Sequence, residues 1–260
     1  MDRIASAPGK RVFATESGTY VRIIMRLDMA PGTNADLVIT FKHLMDRQRL
    51  LRATQRDPGT LGNDQPINKA YADWSPDVPQ RMLDPNEARY HFQRSGIGST
   101  LIPLIAAEVA PGSLEQALVL QREAQAIGMS IDVQRVTTDG CWNAVWLQAP
   151  VHVGSRNLRP TANIMLTLAY RSDAPWNESR WQSAQFDDLL IRSRAETDPA
   201  RRKQMYHDMQ MLVHEGAGSV IPVHRTFVDG VSDFIKGIPS VPLGPYGGLE
   251  GPEFYWIDRA

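Results

Sequence analysis

Arg156 and Arg159 lie three residues apart in a segment that also carries Asn157 and Thr161, and tryptophans bracket it on both sides. Trp142 and Trp146 are four apart upstream, and Trp176 and Trp181 fall within APWNESRW downstream. A guanidinium can hold a carboxylate through two parallel hydrogen bonds, and an indole offers a flat apolar wall with one N–H donor. These types together suit a cleft for a peptide-like or amphipathic solute. The candidate contacts are Trp142, Trp146, Arg156, Asn157, Arg159, Thr161 and Trp176. Two competing roles stand beside that reading. Most tryptophans in a domain of this size fill the core, and a loop arginine serves equally well by donating to backbone carbonyls.

Catalytic chemistry has no comparable signal. The histidines at 43, 91, 152, 207, 214 and 224 include no HExxH pair, and His207 and His214 stand two helical turns apart. There is no GxSxG elbow, Walker loop or GxGxxG fingerprint. Asp187 and Asp188, adjacent on an expected helix, face different directions, which suits solvation rather than shared acid-base work. Cys141, the single cysteine, excludes an internal disulfide or a multi-cysteine metal site and reads as a buried small hydrophobe. Catalysis is therefore unsignalled by motif, and no cofactor or metal is expected.

With 28 basic and 29 acidic residues the charge is near balance, which speaks against a nucleic-acid surface or a polybasic membrane patch. An apolar fraction of 42% over 260 residues is enough for a substantial core. The longest apolar run, from Leu101 to Ala107, is cut by Pro103 and falls well short of the roughly 18 residues of a membrane span. The first twenty residues carry charges where a signal peptide needs an unbroken apolar stretch. That is compatible with a cytoplasmic chain, or with one whose first lobe and signal are missing together.

The elements that must position these residues can be read from periodicity and caps. YVRIIMRL, from Tyr20 to Leu27, reads as a buried strand. Leu37, Phe41 and Leu44 recur at helical spacing behind Thr33 or Asn34 as cap, in a helix reaching Leu51. A long irregular loop is expected from Gln55 to Pro79, with Asn63 and Asp64 closing a local turn. Asp84, Pro85 and Glu87 open a helix that Gly96 ends. A strand from Ser99 to Ala107, a helix begun by a Ser113–Gln116 capping box and stopped by Gly128, and a strand from Met129 to Val136 form a βαβ unit. That unit sets the class as α/β. Helices through Phe186, Leu189 and Leu190 and from Pro199 onward lead to a short strand from Ser219 to His224 and an extended Pro/Gly-rich tail over 237–251.

In order, YVRIIMRL, LGNDQPI, DPNEARYHFQRSG, QAIGMSIDVQRV, DGCWNAVW, NLRPTAN, APWN and the final two helices resemble the second, C-terminal lobe of the peptide/nickel (family 5) extracytoplasmic solute-binding proteins of ABC importers. The resemblance runs from about Ser17 onward. It implies a periplasmic-binding-protein-like (type II) lobe with a mixed, partly parallel sheet flanked by helices. On that model, residues 29–224 are the lobe, and 1–28 and 225–260 are segments crossing back to a missing first lobe. The resemblance also implies a periplasmic or otherwise extracytoplasmic monomer that takes a peptide-like solute and docks on ABC permease subunits, with Asn157, Arg159 and Thr161 as ligand contacts. Arg156 stands where similar relatives have a tryptophan, and Asn163 where they have an aspartate. The crossing segments are expected to be poorly covered, leaving Phe234, Tyr255 and Trp256 exposed. The alternative readings are a non-binding remnant or interaction module, and behind that an enzyme whose groups converge only in three dimensions.

Overall fold

The computed structural model describes residues 2–54, 59–248 and 251–258. Residues 55–58 of the expected long loop and 249–250 of the tail lie outside the described residues. A short helix α1 (Asp2–Ala5) leads into the long strand β1 (Lys10–Met25). Helices α2 (Ala35–Leu44) and α3 (Arg47–Thr54), strand β2 (Thr60–Leu61) and helix α4 (Pro85–Ser95) precede the unit β3 (Ile102–Ala106), α5 (Ser113–Ala126), β4 (Ile131–Arg135). Helix α6 (Thr138–Gly140) runs into a π-helical turn (Cys141–Val145), followed by β5 (Val151–Arg156), α7 (Ala162–Ala169), α8 (Ala184–Ala195), α9 (Pro199–Gly216) and a second long strand, β6 (Ser219–Ser232). Strand β7 (Ile235–Lys236), a 3₁₀ turn (Gly251–Phe254) and β8 (Trp256–Ile257) follow, β7 and β8 pairing as a small ribbon.

The main sheet has the order β2-β6-β1-β5-β3-β4. Strand β3 is parallel to β4 and to β5, while β1 is antiparallel to β5 and β6, so the sheet is mixed. Helices cover both faces, as the class requires. Val21, Ile23 and Met25 of β1 join Leu37, Phe41, Ala117 and Leu120 in one core, while Tyr20 joins Met165, Phe186, Tyr206 and Met209 in the other. A strand covered on both faces loses polar alternation, which is why Tyr20–Met25 reads as a nearly continuous apolar run.

Several expectations need correction. The segment around Tyr20 is not poorly covered: every residue from Tyr20 to Met25 is buried, because β5 and β6 flank it and helices pack above and below. Phe234 and Trp256 are exposed as expected, while Tyr255 is half-buried. Strands β1 and β6 extend well beyond the runs read from the sequence, pairing from Lys10↔Ser232 to Glu16↔Thr226. That outer ribbon mixes polar and apolar residues and gives little apolar periodicity to detect. The single helix expected to reach Leu51 is broken at Met45, and Asp46 Oδ1 restarts it by accepting from Arg49 N at 2.8 Å. Helix α5 has no Ser113–Gln116 box. Gly112 (φ 94°) occupies the cap, and the Glu108 carboxylate accepts from Gly112 N and Leu114 N, each at 3.2 Å. Helix α4 follows its sequence signal: Asp84 accepts from Asn86 N and Glu87 N, and Gly96 takes the left-handed conformation.

Asp64 does more than close a local turn. Wholly buried, it accepts from Arg47 Nη2 at 2.6 Å on each oxygen, from Arg81 Nη1 at 2.8 Å and from Ile221 N at 3.0 Å. It therefore ties α3, the loop after β2 and strand β6 to one charge. Lys42, also wholly buried, donates to His214 O at 2.7 Å near the end of α9, and burial lowers its pKa to about 7. Removing one partner of a buried pair strands the other. Asp64→Ala is therefore expected to lower unfolding free energy by about 3–5 kcal/mol in urea denaturation. Adding Arg47→Met is expected to restore part of that loss by removing one stranded cation.

Candidate functional site

Parallel strands β3 and β5 end side by side, and the chain leaves them in different directions: β3 continues through Val109, Ala110 and Pro111 toward α5, and β5 into the segment beginning at Asn157. A cleft of about 430 Å³ opens there. Its walls include Trp142, Trp146, Arg156, Asn157, Arg159 and Trp176, so six of the seven sequence candidates come together on one concave surface. Crevices beyond the carboxyl ends of parallel strands are where open α/β sheets bind ligands.

The tryptophans form a continuous wall. Trp142 and Trp146 meet edge to face with centroids 6.1 Å apart, and Trp146 meets Trp176 the same way at 6.4 Å. The π-helical turn sets the first two: Trp146 N donates to Cys141 O at 2.9 Å, and buried Cys141 and Val145 anchor the turn against Ala107 and Ala149. The indoles are thereby left outside the core, with Trp142 43% and Trp176 37% exposed. Leu147 ends the turn with φ 61°, a left-handed conformation that a non-glycine residue adopts at a cost. Trp181 belongs to the core instead, packed on Phe186.

The arginine segment is braced from below. Leu158 is buried beneath it, Leu158 N donates to Thr19 Oγ1 at 3.4 Å, and Arg159 N donates to Tyr71 Oη at 3.1 Å. The Arg159 guanidinium stacks over Trp176 at 5.6 Å and makes one long contact to Leu158 O at 3.4 Å. Its backbone carries the brace, which leaves most of the side chain's donors available. Thr161 sits outside the cleft lining, where its hydroxyl caps α7 by accepting from Ile164 N at 3.2 Å. Asn163 also points elsewhere, accepting from Arg194 Nε at 3.1 Å.

Glu178, which no sequence pattern singled out, lies in the cleft floor. Its Oε1 accepts from Arg156 Nη2 at 2.5 Å and from Arg22 Nη2, and its Oε2 lies 3.7 Å from His152 Nε2. Burial alone would raise its pKa. Arg22, His152 and Arg156 outweigh burial and hold it well below the usual carboxylate range. Arg156 also donates to Trp176 O at 3.1 Å, so this ion pair fixes the third tryptophan. Thr19 and Arg225 complete the lining. Between Glu16 and Tyr20 the β1–β6 register slips, so that Ser17, Gly18 and Thr19 oppose Arg225 alone. The sequence reading ended β6 at His224, one residue short of Arg225.

A second cavity of about 270 Å³ lies under the 60–80 loop. Its amides are spent on backbone carbonyls: Asn63 on Val78 O and Pro79 O and Gln65 on Ile67 O within the loop, Asn68 on Ser17 O of β1. Among the described residues no group of three or more His, Cys, Asp or Glu could hold a metal ion.

No family model matches the chain. The dipeptide-binding protein of Escherichia coli is 33% identical over 70 residues, covering 27% of this chain and 13% of that protein. Among solved structures, the ABC transporter substrate-binding protein CtaP of Listeria monocytogenes superposes with a TM-score of 0.85 at 15% identity, over 99% of this chain and 54% of that one. The fold is that of about half of an ABC-transporter substrate-binding protein. NikZ of Campylobacter jejuni, solved with Ni(L-His), shares this substrate-binding fold with a TM-score of 0.84 at 14% identity, over 98% of this chain and 55% of that one. The oligopeptide-binding protein AppA of Bacillus subtilis, solved with a nonapeptide, matches with 0.81 at 14%, over 98% and 54%. The chain thus spans about half the length of the substrate-binding proteins it matches.

Glu178→Gln is expected to destabilise the protein by about 3–5 kcal/mol at pH 7, because Arg22 and Arg156 lose a buried counter-charge. A carboxylate whose pKa is lower folded than unfolded contributes stability above its unfolded value and loses it as pH falls. The gap between wild type and Glu178→Gln in urea denaturation should therefore be full above the ordinary value of 4.5 and shrink below it.

Proposed function

We propose that this chain provides a solute-binding face of an ABC importer's substrate-binding protein, taking peptide-like solutes in the cleft and catalysing nothing. The observation that carries the reading is the cleft itself: three tryptophans in edge-to-face contact, two of them substantially exposed, stand beside the Arg159 guanidinium at the ends of parallel strands. Exposed indoles lose the gain of burial, and a ligand that covers them recovers it. The cleft's volume of about 430 Å³ lies within the range of small-molecule sites, roughly 300–1,000 Å³. The fold adds its support, since the superposed proteins are substrate-binding proteins whose described ligands include a nonapeptide and Ni(L-His).

Binding would place the solute's flat or apolar portion on the tryptophan wall and a carboxylate on Arg159, with Asn157 as a further polar contact. In the extracytoplasmic setting of such importers, the loaded protein would then deliver the solute to permease subunits. The chain acts here as a monomer. No hydrolytic or redox step is needed, because capture and release are the whole of the chemistry.

Thermal unfolding against a panel of di- and oligopeptides tests this. A ligand bound only to the native state stabilises it by about 2.7 kcal/mol at a concentration one hundred times Kd, which for a domain of this size is a rise of roughly 5–10 °C. The rise is expected to disappear in Arg159→Ala, whose own melting should change little. A flat response to every peptide, from a chain that melts cooperatively, would sink the proposal.

A further inference from the structure

The charges around the cleft do not balance. Arg22 and Arg156 share the one carboxylate in its floor, Glu178. Among the described residues, Arg159 and Arg225 have no carboxylate within ion-pair distance. Glu108 is the acid whose field reaches Arg225, but its oxygens are engaged by Gly112 N and Leu114 N at the start of α5. Arg225 is half-buried, and burial lowers its pKa, as expected of a cation partly stripped of water. A guanidinium held like this gains most from an anion that reaches it with fork geometry.

The same arrangement leaves little for a ligand amine. One Glu178 oxygen is shared between two arginines, and the other is buried, 3.7 Å from His152 Nε2 and without a hydrogen bond among the described residues. Among the described residues, the cleft lining presents three arginines, Arg156, Arg159 and Arg225, against a single carboxylate, Glu178. We infer that the preferred solute is acidic, carrying two carboxylates and no free amine, with its carboxylates on Arg159 and Arg225 and its apolar portion against the tryptophan wall. This rests on the solute-binding reading above and sharpens it from peptide-like solutes at large to their acidic, amine-blocked members.

The test is titration of the full chain, followed by tryptophan fluorescence or ligand-observed NMR, with three probes: N-acetyl-alanyl-glutamate, alanyl-alanine and alanyl-alanine amide. N-acetyl-alanyl-glutamate is expected to bind at least tenfold more tightly than alanyl-alanine, with the amide weakest. Raising salt from about 20 mM to 500 mM should narrow that gap, since exposed charge attraction is screened. Arg225→Gln, checked for unchanged melting, should weaken the acetylated probe about tenfold, a clearly larger loss than for alanyl-alanine. Equal or tighter binding of alanyl-alanine or the amide overturns the acidic preference while leaving the cleft a binding site. Binding of none of the three overturns the solute-binding reading and this inference with it.

Discussion

A single buried carboxylate joins the sheet to the cleft. Glu178 lies in the turn after APWN, and through Arg22 and Arg156 it reaches the two central strands β1 and β5, whose register sets Tyr20 opposite Arg156. Two guanidinium groups in the interior would be prohibitive alone, and one carboxylate between them leaves a net positive charge that hydrogen bonds must spread. Arg22 additionally donates to Tyr20 Oη, and Arg156 to Trp176 O. The pairing therefore fixes the strand ends, the tryptophan and the floor of the cleft at once.

The position of the cleft follows from topology. The parallel strand β3 has β4 on one side and β5 on the other, and its connection to α5 runs away from the segment that follows β5. Where neighbouring strands send their connections apart, a crevice opens with no side chain required to make it. The sequence then furnishes that crevice with arginines and tryptophans. One face of the strands beneath is apolar and the other carries the buried Arg22, His152, Arg156 and Glu178 cluster, so both faces need a helical layer to exclude water.

Legibility in the sequence followed the range of the interactions. Caps and stops that act over three or four residues, such as Asp84 and Gly96 on α4 or Asp198 on α9, could be read directly. The βαβ unit could be read because its apolar periods are clean and its connection short. The Arg-Asn-Leu-Arg segment and its tryptophans declared their chemistry by type, and the structure gathers them. Pairings between residues far apart in sequence left no local trace. Arg22 to Glu178 spans 156 residues and Asp64 to Ile221 spans 157, and an isolated acid in a turn looks the same whether it is solvated or buried. Thr161 shows the opposite confusion, since a threonine before a helix is a cap whether or not a site lies beside it.

Several departures from local preference meet at the cleft. Leu147 takes a left-handed conformation, the preceding turn is π-helical, three residues of β1 bulge against Arg225, two indoles stay exposed and, among the described residues, Arg159 and Arg225 have no carboxylate within ion-pair distance. Each costs stability, with backbone strain alone typically on the order of 1–3 kcal/mol per residue. Elsewhere most helix starts are capped, Arg47 is paired with Asp64 and strands bury apolar faces, while Asp64, Arg180 and Tyr246 also take positive φ and buried Lys42 rests on carbonyl oxygens. Bulges and π turns concentrate where a side chain must be re-aimed. The coincidence of a π turn, a bulge and exposed indoles at one crevice argues that the crevice is a site the fold is built to shape.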